Sequence, residues 1–207
     1  MMSPIPPAPI YLASRSPRRR ELLTQISVHY ELLLFRGDRR RDEETLEATL
    51  PDERPEDYVV RVARAKAGHG VRLSRLRGLT PRPVLSADTT LDVDGVIVGK
   101  PADEAEAAAI LKHLSGRAHR VLTAVAIARG DAVEHALSIS AVHFRVLGDD
   151  EIRRYVRSGE PLDKAGAYGI QGHAAIVVEA IAGSHSGIVG LPLCETALLL
   201  RQFGYPV

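Results

Sequence analysis

Two turn dipeptides set between apolar runs decide how the middle of this chain folds. Asp94-Gly95, inside Asp92-Val93-Asp94-Gly95, separates an apolar run at residues 83–87 and the following Asp88 from a short return at residues 96–98. Gly130-Asp131 joins residues 120–128 to residues 133–146, both of which alternate or run apolar. Such pairs supply the positive-φ backbone of a tight hairpin, so these runs read as antiparallel strands. On either side the pattern changes to helical spacing. Leu22, Leu23 and Ile26 follow a strand at residues 10–13, with Pro17 placed where a first turn tolerates it. Residues 29–34 form a second strand, and residues 55–67 carry Tyr58, Val59, Val62, Ala63 and Lys66 at helical spacing.

Further on, Asp103-Glu104-Ala105-Glu106 has the form of a capping box and opens a helix that Gly116 closes. Asp149 is placed as the cap of a helix through Val156, and residues 175–181 as one more strand. Pro192 begins a closing helix with Leu193, Ala197, Leu198 and Leu200 on its buried side. Roughly six or seven strands mixed with about five helices make an α/β fold around a mixed sheet. No repeat or domain boundary appears, so residues 1–207 read as one domain.

A formal net charge of +1 rules out the broad basic field of a nucleic-acid coat protein. Any anion site must be local. The single Cys194 excludes an intrachain disulfide and a cysteine-based zinc cluster, and points to a reducing compartment. The proline-rich, uncharged start lacks the form of a signal peptide, and no apolar run approaches the ~20 residues of a membrane span. A cytoplasmic protein is expected.

Lysine is scarce in this arginine-rich chain: Lys66, Lys100, Lys112 and Lys164 are all there are. A lysine ammonium is a compact point charge suited to a phosphate oxygen, and Lys66, Lys100 and Lys164 each lie in an unusual segment. Lys112, in an alanine-rich stretch, reads as a surface residue. Ser14-Arg15-Ser16-Pro17-Arg18-Arg19 joins the first strand to the first helix, where helix-start amides, two hydroxyls and paired arginines form an anion cradle. Asp88-Thr89 is placed at a strand end, with Lys100 across the hairpin as the ammonium partner of the Asp88 carboxylate. That carboxylate can hold Mg²⁺ or take a proton from water.

Residues 159–172 are the most informative. Gly166, Gly169, Gly172, Ala165 and Ala167 cannot fill a core, so this backbone must approach something closely. Lys164, Tyr168 and Gln171 stand in that smooth stretch, and the Gln171 amide suits a base edge. Residues 183–192 form a second glycine-rich loop. His119 reads as structural, and no histidine pair has zinc-ligand spacing.

Taken together, these segments resemble the Maf family of nucleoside triphosphate pyrophosphatases from Ile10 to Phe203. The carriers are the run from Leu12 to Arg19, Tyr58 to Ala67, Ala87-Asp88-Thr89 with Gly99-Lys100-Pro101, Ser115 to His119, residues 159–172 and Gly190-Leu191-Pro192-Leu193. The resemblance implies an elongated mixed sheet with two lobes and a central cleft, similar to inosine triphosphatase-like enzymes. It further implies a homodimer, and hydrolysis between the α and β phosphates that depends on Mg²⁺, or on Mn²⁺ in its place.

Carried over by position, Asp88 is the proton acceptor. Ser14, Ser16, Arg18, Arg19, Lys66, Lys100, Lys164 and Gln171 contact substrate, and Arg18, Thr89 and Gln171 govern the choice of base. Residues 163–172 are similar to the subfamily acting on dTTP and UTP. One of Glu43, Glu44 and Glu47 faces the metal beside Asp88, and Glu44 is taken as the candidate. His173 and His185 replace residues more usual in the family.

Two other classes compete. A non-catalytic nucleotide-binding regulator of cell division needs the phosphate grip but no unpaired carboxylate beside the attacked phosphorus. An RNA-binding module would need stacking surfaces that 4% aromatic content and no tryptophan do not supply.

Overall fold

A computed structural model describes residues 8–34 and 46–207. Strands β1 (Ile10–Leu12), β2 (Tyr30–Leu32), β3 (Val84–Val93), β4 (Val96–Val98), β5 (Ala118–Arg129), β6 (Ala132–Phe144) and β7 (Val178–Ala182) form one sheet. Its order is β2-β1-β3-β5-β6-β7, with β4 paired to the far end of β3. β1 runs parallel to β2 and β3, and every other pairing is antiparallel. The expected mixed sheet is therefore present. Both hairpin dipeptides behave as read: Asp94 and Gly95 have φ of 54° and 84°, and Gly130 has φ of 64°.

Six helices flank the sheet among the described residues: α1 (Pro17–Gln25), α2 (Pro55–Leu76), α3 (Glu104–Leu114), α4 (Asp149–Arg157), α5 (His185–Val189) and α6 (Leu193–Gln202). No helix there is long and apolar enough to cross a membrane. Several boundaries differ from the sequence expectation. α2 continues past residue 67 to Leu76, because Gly68 and Gly70 do not stop it. Gly70 instead marks a close crossing: a Cβ there would lie 2.6 Å from Val84 Cγ1 and 3.4 Å from Ala13 Cβ. α4 is capped by Gly148, and Asp149 is its first helical residue, placing carboxylates at the positive end of the helix dipole.

At α3, Asp103 accepts from the Glu106 amide at 2.8 Å, but the Glu106 carboxylate returns to the amide of Ala102, not of Asp103. α6 buries Thr196, Leu199 and Leu200, leaving Leu198 53% exposed. Residues 173–177 form a 3₁₀ turn ahead of β7. Within the glycine-rich loop at 183–192, Ser184 caps α5 by accepting from the Gly187 amide.

The alternation of β3 and β5 sorts the interior into three cores. Val84 of β3, with Leu122, Ala124 and Ala126 of β5, packs under α2 together with Val59, Val62 and Ala63. On the opposite face, Leu85, Ala87, Val125 and Ile127 meet Leu22, Leu23, Leu199 and Leu200 at one end. At the other end, Leu91, Val93 and Val121 meet Leu111, Leu114, Phe144 and Tyr155. Thr89 and Thr123, directly paired across the two strands, lie between these two cores. That polar interruption, with an apolar core at each end, divides the molecule into two lobes.

The Gly70 crossing gives a direct comparison. Gly68 has only Arg72 Nη1 within 4 Å of an added Cβ, at 3.8 Å. Gly68→Ala is expected to gain up to about 1 kcal/mol of helix propensity. Gly70→Ala gains the same but overpacks Val84, a cost of about 1–3 kcal/mol. Thermal unfolding should show Gly68→Ala above the wild type and Gly70→Ala below it.

Candidate active site

β1 stops early, and the site forms where it stops. Its last register pair with β3 is Leu12 with Leu85, followed by a hydrogen bond from the Ala13 amide to the Leu85 carbonyl. β4 joins β3 only from Leu91 onward. Between these points the edge of β3 has no strand beside it among the described residues. Asp88 is thus inside a ten-residue strand and not at a strand end, because β5 supports β3 along its whole length. Side chains at 88 and 89 point to opposite faces of the sheet. Both nevertheless line one cavity of about 340 Å³, since no strand separates the two faces there.

That cavity collects Ser14, Ser16, Arg18, Arg19, Lys66, Asp88 and Thr89 on one side, and Lys100, Lys164 and Gln171 on the other. These are the candidate residues of the sequence reading, with one exception: Glu43 and Glu44 lie outside the described residues. Glu47, the member of that trio among the described residues, lines the cavity.

The turn at 14–19 is built by its own hydroxyls. Ser14 Oγ accepts from the Ser16 amide at 3.2 Å and from Arg19 Nη1 at 3.2 Å. Ser16 caps α1, accepting from the Arg19 amide at 3.4 Å. Since both oxygens act as acceptors here, each hydroxyl proton remains to be donated. Arg18 lies 4.0 Å from Asp163. The half-buried Arg19 guanidinium also donates to the Gly190 carbonyl at 2.8 Å and to Thr89 Oγ1 at 3.4 Å. Burial, with Arg18 nearby, lowers its pKa despite Asp88.

Thr89 continues a hydrogen-bond chain with one direction. Thr123 Oγ1 donates to the Gly187 carbonyl at 2.8 Å, so it accepts from Thr89 at 3.0 Å, which in turn accepts from Arg19. Arginine only donates and a carbonyl only accepts, and this fixes the order. Thr123 was missed by the sequence reading. The available signal was a single polar residue in the apolar run Val121-Leu122-Thr123-Ala124-Val125.

On the α2 face, Lys66 is 8% and Asp88 7% exposed. Lys66 Nζ donates to Asp88 Oδ1 at 2.8 Å and to Glu47 Oε1 at 2.6 Å. Burial alone would lower the Lys66 pKa, but the two carboxylates raise it. Burial likewise works to raise Glu47, and the Lys66 charge and hydrogen bond bring it below the ordinary carboxylate range. The partner of Asp88 is therefore Lys66 and not Lys100. Lys100 is exposed and lines the same cavity, near enough for its charge to act on Glu47, because the β3–β4 hairpin carries it past the end of β4. Asp88 is not the unpaired carboxylate expected from sequence.

The glycine-rich segment forms the remaining wall. The amide of Gly166, with φ of 72°, donates to the Gly99 carbonyl at 2.9 Å, and a Cβ there would lie 2.1 Å from Leu91 Cδ2. Lys164 runs across Gly169, its Cε 2.8 Å from the position of an added Cβ, and donates to Asp163 at 2.6 Å. Gln171 is exposed at the rim. Tyr155 supports this wall, accepting from the Gly169 amide at 3.3 Å, and His173 stacks on its ring. His185 opens α5 and lies outside the cavity lining.

Tyr168 lines the cavity and bonds His119 Nε2 at 2.8 Å, both rings packing edge-on with Phe144. This agrees with the structural reading of His119. Burial, with His143 adding, holds its pKa down at about 4. An unfolded histidine titrates near ~6.5. Between those values the unfolded chain binds a proton that the folded one does not, so stability falls as pH drops through this window. From pH 6.5 to 5.0 the loss should be roughly 1.5 kcal/mol. The gap in urea-unfolding free energy between wild type and His119→Gln is expected to narrow by that amount; a gap independent of pH contradicts the assignment.

The fold and cavity define an α/β protein with a cationic cleft that holds a lysine–dicarboxylate cluster, buried at Lys66 and Asp88 and half-buried at Glu47. Residues 9–203 match the family described as Maf-like protein. The chain belongs to that family. It is 58% identical over 196 residues to the dTTP/UTP pyrophosphatase of Dechloromonas aromatica (strain RCB), covering 95% of this chain and 98% of that one. It is 59% identical over 207 residues to the dTTP/UTP pyrophosphatase of Aromatoleum aromaticum (strain DSM 19018 / LMG 30748 / EbN1), covering all of both chains. Among solved structures, the Staphylococcus aureus Ham1 protein aligns with a TM-score of 0.47 at 14% identity, over 95% of this chain and 97% of that one.

Proposed function

We propose that this protein hydrolyses dTTP and UTP to the monophosphate and pyrophosphate. The observation that carries the reading is the Asp88 carboxylate set in one cavity with Ser14, Ser16, Arg18, Arg19, Lys66 and Lys100. The names of relatives nearly 60% identical along the whole chain support the same substrates.

The turn at 14–19 and Lys100 receive the β and γ phosphates, through hydroxyl donors and cationic tips. Water attack at the α phosphorus adds charge to the phosphoryl oxygens, and positioned donors stabilise that charge without reorganising. Asp88 orients the attacking water and accepts its proton. Lys66, between Asp88 and Glu47, keeps both carboxylates in place and supplies positive charge at the phosphates. Gln171 meets the hydrogen-bonding edge of a pyrimidine, and the walls built by Leu91, Val121 and Ile188 accommodate its apolar face. Thr89 acts on base choice through its bond to Arg19.

A divalent cation such as Mg²⁺ fits this donor set. Asp88 and Glu47 are hard oxygen donors within 2.8 Å of the same ammonium, and each keeps a second oxygen. Among the described residues no group of three or more acidic, histidine or cysteine side chains could hold a metal ion. Two carboxylates plus substrate phosphates is the usual way proteins bind Mg²⁺. Bound there, the ion neutralises phosphate charge and polarises phosphoryl oxygens.

Asp88→Asn is expected to lower pyrophosphate release from dTTP by at least about a hundredfold while leaving nucleotide affinity within a few-fold. Undiminished turnover would refute the role of Asp88, and no turnover in the wild type with Mg²⁺ would favour a regulator. Gln171→Glu should shift the ratio of dTTP and UTP turnover to that of CTP and the purine triphosphates more than it shifts the total rate. Equal loss with every base removes Gln171 as a reader.

A further inference from the structure

Helix α2 takes hold of Glu47 in two ways. Lys66 binds its carboxylate at 2.6 Å. Roughly one to two turns earlier on the same helix, Arg61 and Tyr58 bind the backbone around it. Arg61 Nη1 donates to the Leu46 carbonyl at 3.2 Å, and Nη2 to the Ala48 carbonyl at 2.8 Å. The Tyr58 hydroxyl donates to the Glu47 carbonyl at 3.0 Å. Three consecutive carbonyls are thereby held by one helix face.

The clamp is itself oriented. Glu53 takes Arg61 through both oxygens, Oε1 from Nε at 2.6 Å and Oε2 from Nη2 at 2.8 Å. Glu53 Oε2 also accepts from the Leu50 amide at 3.1 Å, which closes residues 50–53 into a turn. The guanidinium lies over the Tyr58 ring, 5.5 Å from its centroid. Apolar burial does little for this segment, since Leu50 is 54% exposed. Polar contacts fix it, and Arg61 makes most of them.

We propose that Arg61, assisted by Tyr58, is a positioning residue that presents the Glu47 carboxylate to the divalent cation and so sets the cation affinity of the site. This rests on the reading of Asp88 and Glu47 as the carboxylates that hold that ion. The planar fork of arginine reaches carbonyls on both sides of Glu47 while gripping Glu53; a lysine ammonium makes one point contact and cannot span them. Residues that orient metal-binding carboxylates typically change affinity by about 10–100-fold when removed.

Titration of the metal-free protein with Mn²⁺ alone, following the paramagnetic resonance signal of the free ion, tests this without turnover. Arg61→Gln and Arg61→Lys are both expected to weaken Mn²⁺ binding about tenfold. Tyr58→Phe, which removes one hydrogen bond and leaves the ring, should weaken it less. Glu47→Gln should weaken it at least as much as either Arg61 variant. In assays with dTTP, turnover lost by Arg61→Lys at low Mn²⁺ should return as Mn²⁺ is raised, which a partly unfolded protein does not show. If Glu47→Gln binds Mn²⁺ like the wild type, the assignment of Glu47 fails and the proposal with it. If Glu47→Gln weakens binding but both folded Arg61 variants match the wild type, the positioning role alone is overturned.

Discussion

The cavity exists because one strand is shorter than its neighbour. β3 has ten residues and β1 three, so the parallel pairing ends at Leu85 and leaves the next stretch of β3 open on that edge. A strand normally divides its side chains between two separated environments. Here the divider is missing, and Asp88 from one face meets Thr89 and Arg19 from the other. The open edge also receives the turn at 14–19, since the chain leaving β1 must pass directly beside it. Carboxylate, hydroxyls and guanidinium groups are brought together by the length of a strand.

Charge is concentrated there despite a near-neutral chain. Arg19 is a half-buried cation and Lys66 a buried one, and the two carboxylates against Lys66 offset the cost of burying it. A buried pair of this kind adds little net stability, yet removing one partner leaves a costly uncompensated charge. The Glu47–Lys66–Asp88 cluster is thus best understood as a fixed electrostatic fixture whose geometry resists change. The support of Arg61 and Tyr58 behind Glu47 is consistent with that, because a carboxylate on a loosely held turn would not stay opposite the ammonium.

Much of this was legible before any coordinates. Asp94-Gly95 and Gly130-Asp131 allow little but hairpins, and they settled the antiparallel half of the sheet. Ser14, Ser16, Arg18 and Arg19 formed a recognisable cradle because a serine cap is ordinary at a helix start but needs no paired guanidinium groups beside it. Errors arose where tertiary packing overrode local signals. The helical spacing reads only as far as Ala67, but the helix runs on through Gly68 and Gly70, and the second permits contact with Val84. Asp88 resembled a strand terminus because polar residues follow it, whereas β5 carries the strand onward. Its partner was misjudged for a related reason: Lys100 is near in sequence, but α2 lays Lys66 across that face. Thr123 stood out only as one polar residue in an apolar run, and its role became visible through its pairing with Thr89.

The order of donors from Arg19 through Thr89 and Thr123 to the Gly187 carbonyl has a thermodynamic consequence. Free hydroxyl rotors would have to be stilled when a nucleotide arrives, at an entropic cost to affinity. In this protein both rotors are already fixed by the chain itself, held at one end by a group that cannot accept and at the other by one that cannot donate. The floor between the two lobes is preset, and association spends nothing on arranging it.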